Sequence, residues 1–319
     1  MKHYQVIIIG AGPAGSACAR KLVENGVDCL VLDKVDFPRQ KTCAGWVTPQ
    51  VFNDLGVDPG DYPFELTEYP FLKIYLNKFA ISLPGTQYAI RRIEFDDWML
   101  RRCGADFNQH HVKRIWTTDQ GYCVDGHYTA EYLIGAGGTY CPVNRTYFRE
   151  MKPGRGTRII ALEEEFKVPL NDLVCRLWFF RNKLPGYSWF VPKTNGWLNI
   201  GIGGNAAALK EQGATIQDHW DAFLSDLKEN GLVPDRSFKP RGYVYHLQSL
   251  EKVVKKDKIF LVGDSAGLAT LDMGEGIGPA IQSGMKAAAA IVDKSPFSLE
   301  GISPFSLLPK GLRWMIRSK

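Results

Sequence analysis

Three glycines and one aspartate near the start of the chain have the types and spacing needed to bind a phosphate-bearing ligand. Gly10, Gly12 and Gly15 in "GAGPAG" form a GxGxxG pattern, and Asp33 follows 23 positions beyond Gly10. Gly10 permits a tight turn, Gly12 lets the backbone approach a pyrophosphate, and Gly15 lets a following helix pack close to its strand. The N-terminus of that helix attracts the phosphate charge. An acidic side chain at the end of the next strand accepts hydrogen bonds from ribose hydroxyls. The pattern reads as a dinucleotide site. A glycine turn in another α/β protein is the competing reading, and the fingerprint alone leaves NAD and FAD both open.

The elements that must hold this turn are legible around it. "YQVIII" (4–9) is β-branched and ends at Gly10, as a buried parallel strand does. A helix is expected from Pro13 to Asn25, with Gly26 at its C-terminal end, and "VDCLVLD" (27–33) reads as a second strand. Further on, 90–104 reads as a helix and 128–138 as a strand feeding another glycine turn. Between about 157 and 204 the pattern turns to β, with Asn195-Gly196 marking a hairpin. Ile216, Trp220, Phe223, Leu224 and Leu227 then share one face of an amphipathic helix. A buried strand over 258–264 and an alanine-rich helix return the chain to its first domain.

Composition narrows the class. The 319 residues are 45% apolar, 23% charged and 12% aromatic, which excludes disorder, collagen and coiled coil. No apolar run approaches the ~20 residues of a membrane span. The start lacks the pattern of a secretory signal, so a cytoplasmic protein is expected. Seven scattered cysteines form no CxxC pair, which makes reduced thiols the default and leaves no metal site. The net charge of +5 is small and not blocky, which gives no support for a nucleic-acid partner. The sequence specifies no oligomeric state.

Several segments resemble a known family. "GAGPAGSACA", "LDK", "FPRQKTCAGWV" and "IFLVGDSAGLATLDMGEGIGPAIQSG" are similar to the FAD-binding segments of the geranylgeranyl reductases, flavoproteins of the p-hydroxybenzoate hydroxylase-like fold. The likeness runs from residue 1 to about 292. It implies an α/β protein with an α+β insertion: a Rossmann-like FAD-binding domain (1–60, 90–150 and 256–295), a β-sheet-rich substrate domain (61–89 and 151–255) and a tail (296–319).

The resemblance also implies a site. FAD would contact Gly10, Gly12, Ala14, Gly15, Asp33 and Lys34, then Ala44, Gly45 and Val47 along the flavin ring, where Ala44 departs from the family's glycine. Arg92 and Val112 are further expected contacts, with a solvated charged face as the other reading of Arg91 and Arg92. His110 and His111 read as ordinary surface residues. Gly263 and Asp264 would meet the ribityl chain, and Gly276 and Ile277 would offer backbone donors at a helix start facing the flavin. A helix cap is the alternative for Asp264. Gly137 stands where the hydroxylases carry an aspartate, which weakens the case for a monooxygenase driven directly by NADPH.

"LPGYSWFVP" (184–192) resembles the family's P-x-x-Y-x-W-x-F-P motif. In a strand, Tyr187, Trp189 and Val191 point to one face and can line an apolar slot; a core stripe is the alternative. Flavin halogenases carry a related string. The implied function is reduction of C=C bonds in an isoprenoid or polyprenyl lipid. NAD(P)H or a small redox protein would be the electron donor. Cys43 would be the proton donor, unless it merely packs. An oxygen-dependent monooxygenase or halogenase is the first alternative, and a flavin-binding protein without a closed catalytic site is the second. The tail "PFSLLPKGLRWMIRSK" mixes apolar and basic residues and is expected either to rest on an anionic membrane surface or to pack against the domain.

Overall fold

The computed structural model describes residues 1–76, 79–150, 156–249 and 253–307. Two sheets organise it. The first is built on five parallel strands in the spatial order Ile259–Leu261, Tyr128–Gly135, Lys2–Ile9, Cys29–Asp33 and Asp106–Gln109. A hairpin of Ile115–Thr118 and Gly121–Val124 adds on antiparallel beside Tyr128–Gly135. The central strands are buried on both faces, which accounts for their unbroken β-branched and leucine runs.

Helix Pro13–Val23 returns the chain from the first strand to Cys29–Asp33, and helix Ile277–Val292 packs against it. The contact is close because both helices are rich in small residues. A Cβ on Gly284 would lie 2.1 Å from the Ala14 carbonyl oxygen. The expected helix over 13–25 ends two residues early, at Val23, and Gly26 turns the chain with φ +70°.

The second sheet is antiparallel except at one pair, in the order Arg241–His246, Arg158–Lys167, Trp197–Asn205, Gly186–Lys193, Arg176–Phe179, Thr67–Leu76, Phe79–Ala89 and Trp46–Val47. Its one parallel contact joins Arg176–Phe179 to Thr67–Leu76. Asn195 and Gly196 connect two neighbouring strands with positive φ at both positions, the geometry of a tight hairpin turn.

One face of this sheet is an ordinary core. Leu198, Ile200 and Ile202 pack under Trp220, Phe223 and Leu227 of helix Ile216–Glu229. That helix starts at a reciprocal cap between Thr215 and Asp218. The alternate residues point the other way, toward the first sheet, and the functional cavity opens there.

Among the described residues no helix is long and apolar enough to cross a membrane. No group of three or more His, Cys, Asp or Glu side chains among them could hold a metal ion. Phe305, at the start of the basic and apolar tail, is buried. The remainder of the expected membrane-contacting segment, 308–319, lies outside the described residues.

Candidate functional site

A cavity of about 750 Å³ lies between the two sheets. That is in the upper part of the usual span for small-molecule sites, roughly 300–1,000 Å³. The glycine turn forms one end. Gly10 has φ +116°, and a Cβ there would lie 2.3 Å from the Ala136 carbonyl oxygen, so only glycine lets the two strand ends come together. A Cβ on Gly12 would meet nothing within 4 Å except the Arg39 guanidinium, 3.4 Å away. The turn therefore presents open backbone beside a cation. Helix Pro13–Val23 begins there with no side-chain cap, so its first-turn amides are free to bind an anion.

Gly12, Ala14, Asp33, Lys34 and Val112 line this end together with Gly10. Gly15 does not. It is buried where a Cβ would strike the Gly10 carbonyl oxygen at 1.9 Å, so it serves the close packing of helix on turn. The Asp33 carboxylate accepts hydrogen bonds from the Ala11 and Val35 amides, at 2.9 and 3.2 Å, which fixes it at the mouth of the turn. His110 and His111 also line the cavity here, and the His110 ring is 2.7 Å from Asp125.

Arg92 lies along the floor, buried. Its guanidinium forms a two-pronged pair with Asp96 at 2.7 and 2.8 Å, and Arg39 reaches the same carboxylate at 3.2 Å. Two cations on one fully buried anion leave this floor with a net positive charge. Arg39 carried no distinctive signal in the sequence, because its partner is 57 residues away.

Segment 39–45 crosses the middle of the cavity and contributes Lys41, Cys43 and Ala44 to its lining. The Lys41 ammonium sits 3.0 Å from the centre of the Tyr243 ring. Burial pulls its pKa down to about 8, against the pull of Asp264. Cys43 Sγ accepts a hydrogen bond from the Gly45 amide at 3.4 Å. Gly45 and Val47, expected along the flavin, do not line the cavity. Gly45 (φ +73°) is pressed against the Ile90 carbonyl, where a Cβ would come within 2.1 Å. Val47 is drawn into the second sheet beside Tyr88 and packs in the core with Phe52 and Ile277.

Gly263, Asp264, Gly276 and Ile277 come together on the far wall. The Tyr243 hydroxyl donates to Asp264 at 3.0 Å, and the Gly263 amide donates to Ser283 Oγ at 2.9 Å. The helix start at Gly276 has no N-cap side chain of its own. The Gly278 amide donates to Glu275 Oε1 at 2.8 Å, and the Ile277 amide also bonds that carboxyl. One of the two donors expected to face a flavin, the Ile277 amide, is thus shared with a buried Glu275, whose pKa burial pushes up to about 7.

Tyr187, Trp189 and Val191 form the opposite, apolar wall with Ala161, Cys175 and Leu177. The smaller residues of the next strand make this possible. A Cβ on Gly201 would lie 2.2 Å from the Trp189 ring, so the indole occupies space that any other residue would fill. The indole N–H donates to Asn199 Oδ1 at 2.8 Å. Because that oxygen is taken, the Asn199 amide nitrogen faces the Cys43 carbonyl, at 3.3 Å, and the carboxyl of Glu163. Glu163 is 6% exposed, and burial raises its pKa to about 7. Sequence reasoning passed over Glu163 and Asn199. Strand alternation sets both Glu163 and Glu165 on the face opposite Leu162, and only the fold shows that Glu165 is taken by Arg91 and Lys193 while Glu163 meets Asn199.

These features fit a bound dinucleotide. A glycine cradle that is open apart from a neighbouring guanidinium and an uncapped helix start suit a pyrophosphate, and the fixed Asp33 suits a ribose. The cavity runs on from that cradle to a wall of aromatic residues. Fold and site together define an FAD-dependent oxidoreductase.

The comparisons with known proteins agree. The FAD binding domain family matches residues 3–58. An uncharacterized protein of Methanosarcina barkeri is 31% identical over 313 residues, spanning 91% of this chain and 75% of that protein. Menaquinone reductase of Mycolicibacterium smegmatis is 28% identical, covering 89% and 75%. Digeranylgeranylglycerophospholipid reductase 2 of Methanosphaera stadtmanae is 25% identical, covering 96% and 82%. The chain belongs to the geranylgeranyl reductase-like family of FAD-dependent oxidoreductases.

Solved structures share the fold. A geranylgeranyl bacteriochlorophyll reductase-like protein of Thermoplasma acidophilum superposes with a TM-score of 0.77 at 22% identity, covering 93% of this chain and 81% of that one. A flavin-dependent brominase does so with 0.72 at 18%, covering 99% and 83%. The architecture is the p-hydroxybenzoate hydroxylase-like one that the motifs imply.

Proposed function

We propose that this protein reduces C=C bonds in an isoprenoid or polyprenyl lipid. The observation that carries the reading is the shape of the apolar wall. Residues paired across neighbouring strands share a face, so Trp189, Leu177, Ile74 and Ile81 form one row, and Tyr187, Phe179, Leu76 and Phe79 form another. Both rows begin in the cavity and end at solvent, where Ile81 is 51% and Phe79 75% exposed. An apolar track leading out of a cofactor cavity suits a substrate whose chain is longer than the cavity. The names of two relatives, a digeranylgeranylglycerophospholipid reductase and a menaquinone reductase, support the same chemistry.

Bound FAD, once reduced, supplies a hydride. The chain's own residues do the rest. Gly12, the free amides of the first helix turn and the Arg39–Asp96–Arg92 cluster hold the anionic cofactor. Tyr187 and Trp189 align the alkene and exclude water from it, converting a bimolecular encounter into an oriented one. The corner occupied by Cys43, Asn199 and Glu163 is the polar part of this wall and is where a proton is supplied.

The test is anaerobic. Dithionite-reduced protein is mixed with a geranylgeranyl lipid, and flavin absorbance and product mass are followed together. A gain of two hydrogens per flavin reoxidised is expected. Reoxidation only when oxygen is admitted would overturn the reading and point to oxygen-dependent chemistry.

A further inference from the structure

We infer that the carboxyl of Glu163, rather than the thiol of Cys43, delivers the proton in the reduction, and that it is reloaded from a separate water-accessible pocket behind it. The inference rests on the alkene-reductase reading above. Its basis is that Glu163 stands in the wall between two cavities. One is the site already described. The other is a polar pocket of about 310 Å³ whose lining includes Gln40, Arg91, Trp197, Lys239 and Arg241. Glu163 contributes to both linings, as do Lys41 and Cys43, and what separates the three is how each side chain is engaged. A group so placed can give a proton to one side and take one from the other.

Its surroundings suit that exchange. Asn199 and the main chain of Cys43 hydrogen-bond the carboxyl, so the anion left after proton transfer is held by fixed donors. The charged and titratable groups around it are Glu165, Lys193, Arg241, Arg92, Lys41 and Cys43. Lys193 is ion-paired with Glu165 at 2.5 Å and Arg92 with Asp96, while the Arg241 guanidinium hydrogen-bonds the uncharged Gln40 amide. Among the described residues no ion pair fixes Glu163 as a carboxylate, and the pull of Lys193 toward the charged form is outweighed by burial. Burial then places its titration near pH 7, where both forms are accessible.

The other acids fit less well. Glu275 is committed to the helix start and does not line the polar pocket. The Lys41 ammonium is turned to the Tyr243 ring on the cofactor side. The Cys43 sulfur accepts from the Gly45 amide, and Arg92 hydrogen-bonds it as well.

The step balances. One alkene carbon takes a hydride from reduced FAD and its neighbour takes the Glu163 proton. The π bond is lost, two C–H bonds form, and the two electrons come from the cofactor. The glutamate O–H bond breaks, and the carboxylate regains a proton from water in the polar pocket.

Two measurements test this on the FAD-loaded protein. In the first, Glu163→Gln is expected to keep its flavin content and to slow lipid reduction at least about 100-fold. The wild-type rate should fall above about pH 7, as the carboxyl loses its proton. Glu163→Asp, which keeps an acid, should retain that falling limb at a reduced rate. In the second, infrared difference spectra of the oxidised protein across pH 5 to 9 should show protonated-carboxyl absorption from Glu163 and Glu275 that fades near pH 7, and Glu163→Gln should lose the Glu163 component while that of Glu275 remains. Wild-type turnover in Glu163→Gln with an unmoved pH profile, or no carboxyl band lost in that variant, overturns the proposal. If the wild type leaves geranylgeranyl lipid untouched, the reading of function fails, and the infrared arm still decides whether Glu163 carries a proton at neutral pH.

Discussion

The two ends of the cavity are built by different means. At the cofactor end the backbone does the work. Gly10, Gly12 and Gly15 lie within six consecutive residues, and their lack of side chains sets the turn, the cradle and the helix start. At the substrate end side chains do the work. Trp189, Asn199, Glu163 and Cys43 come from three strands and a connecting segment and are joined by hydrogen bonds. Damage to the first end should therefore remove cofactor and fold together, whereas damage to the second should spare the cofactor and alter the chemistry.

The largest expected effect is at Gly10. Gly10→Val adds a side chain where φ is +116° and the Ala136 carbonyl stands 2.3 Å from the Cβ position. Strain and clash together should cost roughly 3–5 kcal/mol and leave the purified protein without flavin absorbance. A variant that keeps full flavin content would break the contrast. Next comes Asp96→Ala, which strands Arg92 and Arg39 in a buried site without their shared anion. Removing one partner of a buried pair costs about 3–5 kcal/mol, to be read from urea unfolding. Flavin affinity is expected to fall too, because the floor loses its geometry.

How far each end was legible in the sequence follows from the same contrast. The glycine turn, its flanking strands and Asp33 form one local motif, so their spacing reports their geometry. The strands of the second sheet were legible as alternation, and Tyr187, Trp189 and Val191 were correctly expected to share a face. Glu163 and Asn199 were not legible as site residues, because what singles them out is a register that sets Glu163 and Trp189 on either side of Gly201 and Asn199 opposite Val191, and register is a property of the assembled sheet. Val47 misled for a related reason. A motif match placed it beside the ring, but pairing with Tyr88 turns that short strand into the core.

Changes of pH should separate the buried acids from the backbone-built end. Burial raises both Glu163 and Glu275 from 4.5 to about 7, so the folded state holds their protons more tightly than the unfolded chain does. That contribution to stability is complete below about pH 4.5 and is lost as pH climbs through 7. The loss is of order 3 kcal/mol for each group. Urea midpoints of the wild type should therefore decline between pH 5 and 8, and a Glu163→Gln/Glu275→Gln double variant should show much less decline. An equal decline in the double variant would assign the pH dependence elsewhere.

Gly201→Ala is a smaller perturbation that acts only on the substrate wall. The added methyl would occupy space now filled by the Trp189 ring, 2.2 Å from the Cβ position, so the indole must tilt away. Overpacking of this kind costs about 1–3 kcal/mol. Flavin content should stay at wild-type level while the KM for a long prenyl substrate rises. Loss of flavin here would show that the two ends are not independent.

The smallest expected effect is also the most specific. Trp189→Phe keeps the aromatic surface but removes the indole N–H, leaving Asn199 Oδ1 without its donor. A buried acceptor left alone costs about 1 kcal/mol or somewhat more. The Asn199 amide is then oriented through its nitrogen alone, by the Cys43 carbonyl and the Glu163 carboxyl, and an amide freed to turn would withdraw its N–H from that carboxyl. Losing that N–H donor destabilises the carboxylate form, so the Glu163 titration should move upward from about 7. The carboxyl band in the infrared titration is expected to persist to higher pH, with flavin content unchanged and stability lowered only slightly. An unmoved midpoint would mean that Asn199 keeps its orientation without the indole. The substrate wall would then owe its order to packing, as the cofactor end does, and the contrast between the two ends would lose its sharpest feature.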